Sequence, residues 1–304
     1  MKKGYYYVLI TMLIWGISPI IFKSLSTSTT VNIQIFVRTV VGFIVLYTYI
    51  KLTKKDKIEI LNYNKKDMTI LFIVVLMFYL YEQFWLNGIK LSQANLSSFV
   101  ISNIAPILTM TFIGIFIKEE RKHLKSKYRV ISIFLAFISS MLVVVNFSEL
   151  SVDALDLGLI LVIIAALFWG LYTLGIKKFF QESDPLEFCM NTNLLVALYF
   201  LITIICVDEF KLLLQINFKT IFALIIVGLI ADAFSNITFF KSITMLSAVK
   251  ANIIFIFTPI VTLLVSALVL KEGMNMQQII GSGLALIASG FIIYSETLKR
   301  KADI

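Results

Sequence analysis

The stretch "LIWGISPIIFKS" (Leu13–Ser24) returns as "LFWGLYTLGIKK" (Leu167–Lys178), with Trp15, Gly16 and Lys23 matched by Trp169, Gly170 and Lys177 at a shift of 154 positions. A second phrase, "APILTMTFIGIFIKEE" (Ala105–Glu120), returns as "TPIVTLLVSALVLKEG" (Thr258–Gly273) at a shift of 153, so Pro106 falls on Pro259, Thr109 on Thr262, Lys118 on Lys271 and Glu119 on Glu272. Two phrases in the same order at nearly one offset mark an internal duplication. They divide the chain into a unit over residues 1–150 and a second over 151–304.

Composition says what is duplicated. The chain has 304 residues, 59% hydrophobic and 15% charged, against about 25% charged in a soluble domain. About 20 apolar residues cross a hydrocarbon core. On that measure ten spans are expected, over 5–22, 31–50, 68–89, 94–117, 129–147, 157–176, 186–206, 219–240, 249–270 and 277–295. The expected fold is an all-α membrane protein with little outside the bilayer. The first apolar run lacks a small-x-small cleavage site and is longer than a signal-peptide core, so it reads as a span. Cys189 and Cys206 lie about 25 Å apart along one expected helix, too far for a disulfide.

A net charge of +9 would by itself suggest a polyanionic partner, but the placement of the charges explains it otherwise. With the N-terminus inside, 21 Lys and Arg residues fall in cytoplasmic segments and 5 on the opposite face (Lys23, Lys90, Lys211, Lys219 and Lys271), while Arg38 lies within a span. That asymmetry is the positive-inside rule. It leaves no need for nucleic acid and places both termini in the cytoplasm.

Each half holds five expected spans, an odd number, so the second half enters the membrane from the opposite side. This is an inverted-topology repeat, an architecture recurrent in carriers, which alternate access to a site near the midplane. With W-G in spans 1 and 6, Arg38 early in span 2, and proline followed 13 residues later by Glu in Pro106/Glu119 and Pro259/Glu272, the chain resembles the EamA-domain carriers of the drug/metabolite transporter superfamily. The resemblance covers essentially the whole chain and implies a central cavity lined by spans 1, 3, 4, 6, 8 and 9, with spans 5 and 10 peripheral. It says almost nothing about substrate. One departure stands out: the counterpart of Arg38 in span 7 is Thr192.

Charges inside spans cost roughly 2.5–3.5 kcal/mol each and usually face a cavity or a partner. Three lie deep: Arg38, Glu82 and Asp232. Arg38 and Glu82 sit at similar depth and are expected to pair, either as a bridge between helices or as part of a binding site. Asp232 is expected to lack a cationic partner and to share a helical face with Ser235, Asn236 and Phe239, which makes it a candidate for proton coupling or for gripping an amine. In span 3, Tyr79, Glu82 and Gln83 share a face with Asn87 one turn on, while Tyr81 and Trp85 read as interfacial belt aromatics. Trp15 and Trp169, each followed by glycine, either flank the cavity or simply pack. Tyr172 and Asn103 complete the expected lining. Pro106 and Pro259 each remove a helical hydrogen bond and are expected to act as matched hinges.

No P-loop pattern is present, so ATP is not expected as the energy source. The single His123 lies in a basic loop, and no Cys/His spacing suggests a metal; no cofactor or catalytic group is expected. Glu119 and Glu272 read as caps at span ends. The expectation is a secondary transporter of a small organic metabolite: an amino acid or a related neutral, zwitterionic or cationic compound. It would be an exporter or exchanger, monomeric or homodimeric, in a bacterial plasma membrane. The rival is a flippase for a lipid or lipid intermediate.

Overall fold

The computed structural model describes residues 2–53, 60–117, 127–144, 156–246, 254–255 and 257–302. Lys118, Glu119, His123 and Lys250 lie outside them. The described residues form α1 (Lys2–Leu25), α2 (Val31–Thr53), α3 (Lys65–Leu91), α4 (Ala94–Phe116), α5 (Lys127–Val144), α6 (Leu157–Phe179) and α7 (Pro185–Cys206). A short α8 (Phe210–Leu214) comes next, then α9 (Phe218–Val227), a π-helical stretch (Gly228–Phe234), α10 (Ser235–Leu246), α11 (Thr258–Val269) and α12 (Met276–Ala302). No strand occurs among the described residues. Polar residues begin the helices. Asn64, Asp156 and Asn217 each accept from a backbone N–H three residues on, and Asp184 accepts from Leu186 and Glu187 N–H groups ahead of Pro185. These bonds satisfy donors that a helix start otherwise leaves without partners.

Among the described residues, seven helical segments are long and apolar enough to cross a membrane: Lys3–Leu25, Val31–Thr53, Lys65–Leu91, Ala94–Phe116, Leu157–Phe179, Pro185–Cys206 and Phe218–Ser242. Three shorter apolar segments, Val130–Ser139, Thr258–Val269 and Met276–Phe291, fall where the fifth, ninth and tenth spans were expected. Apolar side chains such as Ile44, Ile73, Ile202 and Leu264 point outward. In water that would be unfavourable; in hydrocarbon it costs nothing, and the helical backbone satisfies its own polar groups.

Contacts at the two ends of the bundle fix the helix directions. At one end, Lys23 at the close of α1 meets Glu272 beyond α11, Ser92 beyond α3 meets Asp156 at the start of α6, and Asn32 at the start of α2 meets Glu209 beyond α7. At the other end, Tyr63 before α3 meets Phe180 beyond α6, and Lys241 in α10 lies over the rings of Tyr7 in α1 and Tyr49 in α2. Helices α1 and α6 therefore run in opposite directions, with Lys23 and Lys177 at opposite ends.

The packing has the matching symmetry. Helix α1 packs on α10 as α6 packs on α3, and α1 packs on α11 as α6 packs on α4; α2–α7, α4–α11 and α5–α12 pair with each other. Exchanging α1 with α6, α2 with α7, α3 with the α9–α10 rod, α4 with α11 and α5 with α12 leaves this scheme unchanged. The repeated glycines serve equivalent contacts. A Cβ on Gly16 would lie 2.7 Å from Val261 Cβ in α11, and one on Gly170 would lie 3.1 Å from Phe112 in α4 and 3.2 Å from the Thr109 nitrogen. Thr262 Oγ1 donates to the Gly16 carbonyl at 2.7 Å. Small residues permit this close approach where apolar burial cannot drive helix association.

Candidate functional site

The deep charges meet at one point. Arg38 Nη2 donates to Glu82 Oε2 at 2.7 Å, joining α2 to α3, and Arg38 Nε lies 3.1 Å from Asp232 Oδ2 on the π-helical stretch. Asp232 was expected to lack a cation; the structure corrects this. The physical reason is twofold. A π turn holds more residues than an α turn and so shifts the register of the residues beyond it. The Arg38 side chain also carries its guanidinium several ångströms from its own backbone. Gly228 makes the approach possible, since a Cβ there would stand 2.7 Å from the Arg38 carbonyl oxygen and 2.9 Å from Val41 Cβ.

The two carboxylates are not equivalent. The Glu82 contact is a hydrogen bond between side chains 2% and 8% exposed. The Asp232 contact is close, but its N–H is not aligned for a hydrogen bond, and its side chain is 15% exposed. The Phe22 ring lies 4.4 Å from the guanidinium carbon, in reach for a cation–π contact. Two carboxylates against one guanidinium leave one formal negative charge when all three are ionised. Arg38 Nη1 and Asn193 Nδ2 are buried without a hydrogen-bond partner among the described residues. Both are near Asp232: a Cβ on Gly42 would lie 2.8 Å from that Asn193 nitrogen and 3.1 Å from Asp232 Cβ.

Around the cluster the expected residues divide. Trp15 is half-buried, donates from Nε1 to Ser235 Oγ at 3.1 Å, and packs on Phe239 and Phe255 with centroids 5.0 and 5.3 Å away. Ser235 and Phe239 thus face α1, while Asp232 faces α2; the single polar face expected from regular helical spacing is split by the π stretch. Asn236 donates to the Asp232 carbonyl. In the other half, Trp169 packs on Tyr81 at 4.9 Å, Tyr172 at 5.8 Å and Phe78 at 6.2 Å. Trp85 is not a belt residue: it is 7% exposed and stacked on Tyr81, because α6 covers the α3 face that carries it.

Three other expectations change. Tyr79 turns to α7, where its hydroxyl is 2.8 Å from Thr203 Oγ1 and its ring is 4.7 Å from Phe200. Gln83 donates to Asn32 at 2.6 Å, and Asn32 in turn donates to Glu209 at 3.0 Å, which draws Gln83 into a polar chain toward the bundle end. Asn103 is buried against α12: it donates to the Phe99 carbonyl and accepts from Ser289 at 2.7 Å. Both ends of its amide are thereby occupied, the oxygen by α12 and the nitrogen by its own helix. The prolines also differ. Pro106 lies inside α4, whereas Pro259 stands in the first turn of α11, where its missing N–H would have had no helical acceptor.

Two partners of the cluster went unnoticed in the sequence. Phe22 lies inside the repeated phrase, six residues after Gly16, and Asn193 comes directly after Thr192, the residue opposite Arg38 in the repeat. Both positions were available to inspection. Glu272, expected as a cap at a span end, accepts from the Ala94 and Asn95 backbone N–H groups at the start of α4 and binds Lys23 at 2.7 Å.

Helices of this length and outward apolarity, closed around buried charges that three of them share, define an integral membrane protein of helical type. Known proteins make the class specific. The family model described as "EamA-like transporter family" matches residues 2–145 and 156–294, and the chain belongs to that family. It is similar to an uncharacterized transporter of Clostridium kluyveri (24% identity over 100% of this chain and 96% of the relative). It is also similar to one of Haemophilus influenzae (26%, covering 72% and 70%) and to the uncharacterized transporter YoaV of Bacillus subtilis (22%, covering 98% and 94%). A solved crystal structure shares the fold at a TM-score of 0.62 and 12% identity, covering 95% of this chain and 96% of that one. By homology the protein is a transporter.

Proposed function

We propose that this transporter is a secondary carrier that exports or exchanges a small organic metabolite by alternating access. Its solute is an amino acid or a related neutral, zwitterionic or cationic compound. The observation that carries the reading is the Glu82–Arg38–Asp232 cluster. Its guanidinium is already matched by two carboxylates, so the site has negative charge to offer and no spare cation for a polyanion. Arg38 Nη1 and Asn193 Nδ2 are donors that a bound solute or water would satisfy; leaving such groups buried and unpaired costs about 1–3 kcal/mol each. Asp232, the looser partner, is the carboxylate that exchanges Arg38 for a proton or a substrate amine.

The opposed directions of α1 and α6 and the exchange symmetry of the packing support two five-helix units, 1–150 and 151–304, with ten crossings in all. The charge asymmetry supports cytoplasmic termini in a bacterial plasma membrane. On that orientation the end bearing Lys23 and Glu272 is the outer one.

The test is solute counterflow in proteoliposomes, with candidates chosen by thermal-shift screening of amino acids, nucleosides and amphipathic amines. A bound solute stabilises the folded state by mass action. Saturable counterflow of a compound that also raises Tm is the expected result. Scrambling of labelled lipid without counterflow of any solute would replace the carrier reading with the flippase.

A further inference from the structure

The Lys23–Glu272 contact does more than join two charges. Glu272 lies in the turn between α11 and α12, just after Lys271, which adopts a φ of 55° and ends the helix. Its carboxylate accepts from Lys23 Nζ at 2.7 Å and from the Ala94 and Asn95 backbone N–H groups at 3.0 and 3.2 Å. Those amides open α4, whose own N-cap residue Gln93 makes no side-chain cap and whose first turn contains no acid. A carboxylate from the other half of the chain therefore supplies both the hydrogen bonds and the negative charge that a helix start calls for. Lys23 Nζ also donates to the Ser92 carbonyl, and Ser92 Oγ donates to Asp156 at the head of α6. One ion pair thus ties together the ends of α1, α3, α4, α6 and α11.

We infer that Lys23 and Glu272 form a latch that keeps this end of the bundle shut. The inference rests on the alternating-access reading, in which an inverted repeat changes state when its two halves exchange conformations. The Lys23 side chain is 27% exposed and that of Glu272 7%, so opening this end brings water to both charges in place of the protein partners they lose.

The experiment reads the outer end directly in the full-length protein in proteoliposomes. Cys189 and Cys206 are replaced by Ser, and spin labels are placed at Thr27→Cys, on an exposed turn, and at Gly273→Cys, where an added Cβ meets nothing within 4 Å. Glu272→Gln is expected to raise the population with a long label distance by roughly three- to tenfold. Lys23→Gln keeps the helix cap and should give a smaller shift in the same direction; it carries the test if Glu272→Gln fails to fold. The swap Lys23→Glu with Glu272→Lys should not restore the short distance, because it would place a cation on the α4 N-terminus.

Unchanged distances in both single variants would overturn the outer latch, as would full rescue by the swap. Counterflow by the parent protein is measured alongside: its absence would remove the carrier reading, whereas counterflow with unmoved distances would remove only the latch.

Discussion

The unequal grip of Arg38 on its two carboxylates predicts unequal mutants. Removing one partner from a buried ion pair typically costs about 3–5 kcal/mol. Glu82→Gln falls below that range, because the amide oxygen still accepts from Nη2 and Asp232 still neutralises the guanidinium. The loss of a hydrogen bond between charged groups puts it at about 1.5–3 kcal/mol. Asp232→Asn removes a contact that lacks hydrogen-bond alignment and leaves Glu82 to neutralise Arg38, so it should cost less than Glu82→Gln. Arg38→Met strands two carboxylates in a buried site and should cost most, about 3–5 kcal/mol, with part of the loss recovered when Glu82→Gln and Asp232→Asn are added. Thermal unfolding of detergent-purified protein, followed by intrinsic tryptophan fluorescence, ranks the variants: Arg38→Met lowest, Glu82→Gln next, Asp232→Asn near the parent. Counterflow then separates support from transport, since Asp232→Asn should fold at full yield and lose most of its activity. A Tm drop for Asp232→Asn as large as that for Glu82→Gln would refute the division of roles, and full counterflow in Asp232→Asn would refute its place in the site.

Other positions give narrower tests. Gly228→Ala sets a methyl 2.7 Å from the Arg38 carbonyl and should cost about 1–3 kcal/mol by overpacking, read as lower Tm and yield; unchanged stability would show that the α2 contact gives way. Trp15→Phe keeps the ring stack but loses the bond to Ser235, and should cost about 0.5–1.5 kcal/mol. In a double-mutant cycle with Ser235→Ala, the same loss should not be counted twice. Asn103→Leu should lower Tm without changing solute affinity, because its amide is bonded to Phe99 and Ser289; a large change in affinity would return it to the substrate path. Cysteines at positions 23 and 177 should label from opposite sides with an impermeant maleimide, and labelling from one side would end the inverted arrangement.

The direction of the helices was legible because it depends only on counting. Five expected spans per repeat, an odd number, force opposite orientation of the two copies of one phrase, and Lys23 and Lys177 sit at opposite ends as that count requires. The Arg38–Glu82 pair was legible because depth along two α-helices follows from a fixed rise per residue. Asp232 was misjudged for the same reason: nothing in "GLIADAF" announces a π-helical stretch, and the fixed rise fails there. Trp85 and Asn103 were misjudged because helical periodicity says which residues share a face but not which neighbour covers it. For Trp85 the neighbour is α6, and for Asn103 it is α12.

The repeat itself sorts the residues further. Applying the 154-residue shift, Arg38 corresponds to Thr192, Glu82 to Asn236, and Asp232 to Phe78. Every charged member of the cluster has an uncharged counterpart. Gly16 and Gly170 instead keep equivalent close contacts, and Lys23 and Glu272 have Lys177 and Glu119 as their counterparts in the sequence. On the proposed carrier reading, features written twice serve the change of access at both ends, and features written once serve a solute at one place. This sorting predicts opposite signatures. Substitutions at Arg38, Glu82 or Asp232 should change which solutes bind, as read by ligand-induced Tm shifts across a panel. Substitutions at Gly16, Gly170, Lys23 or Glu272 should leave the rank order of solutes intact and change the balance between outward- and inward-open states. A reordered solute panel in Glu272→Gln would break the sorting, because Glu272 would then contribute to recognition from a position that ties only helix ends.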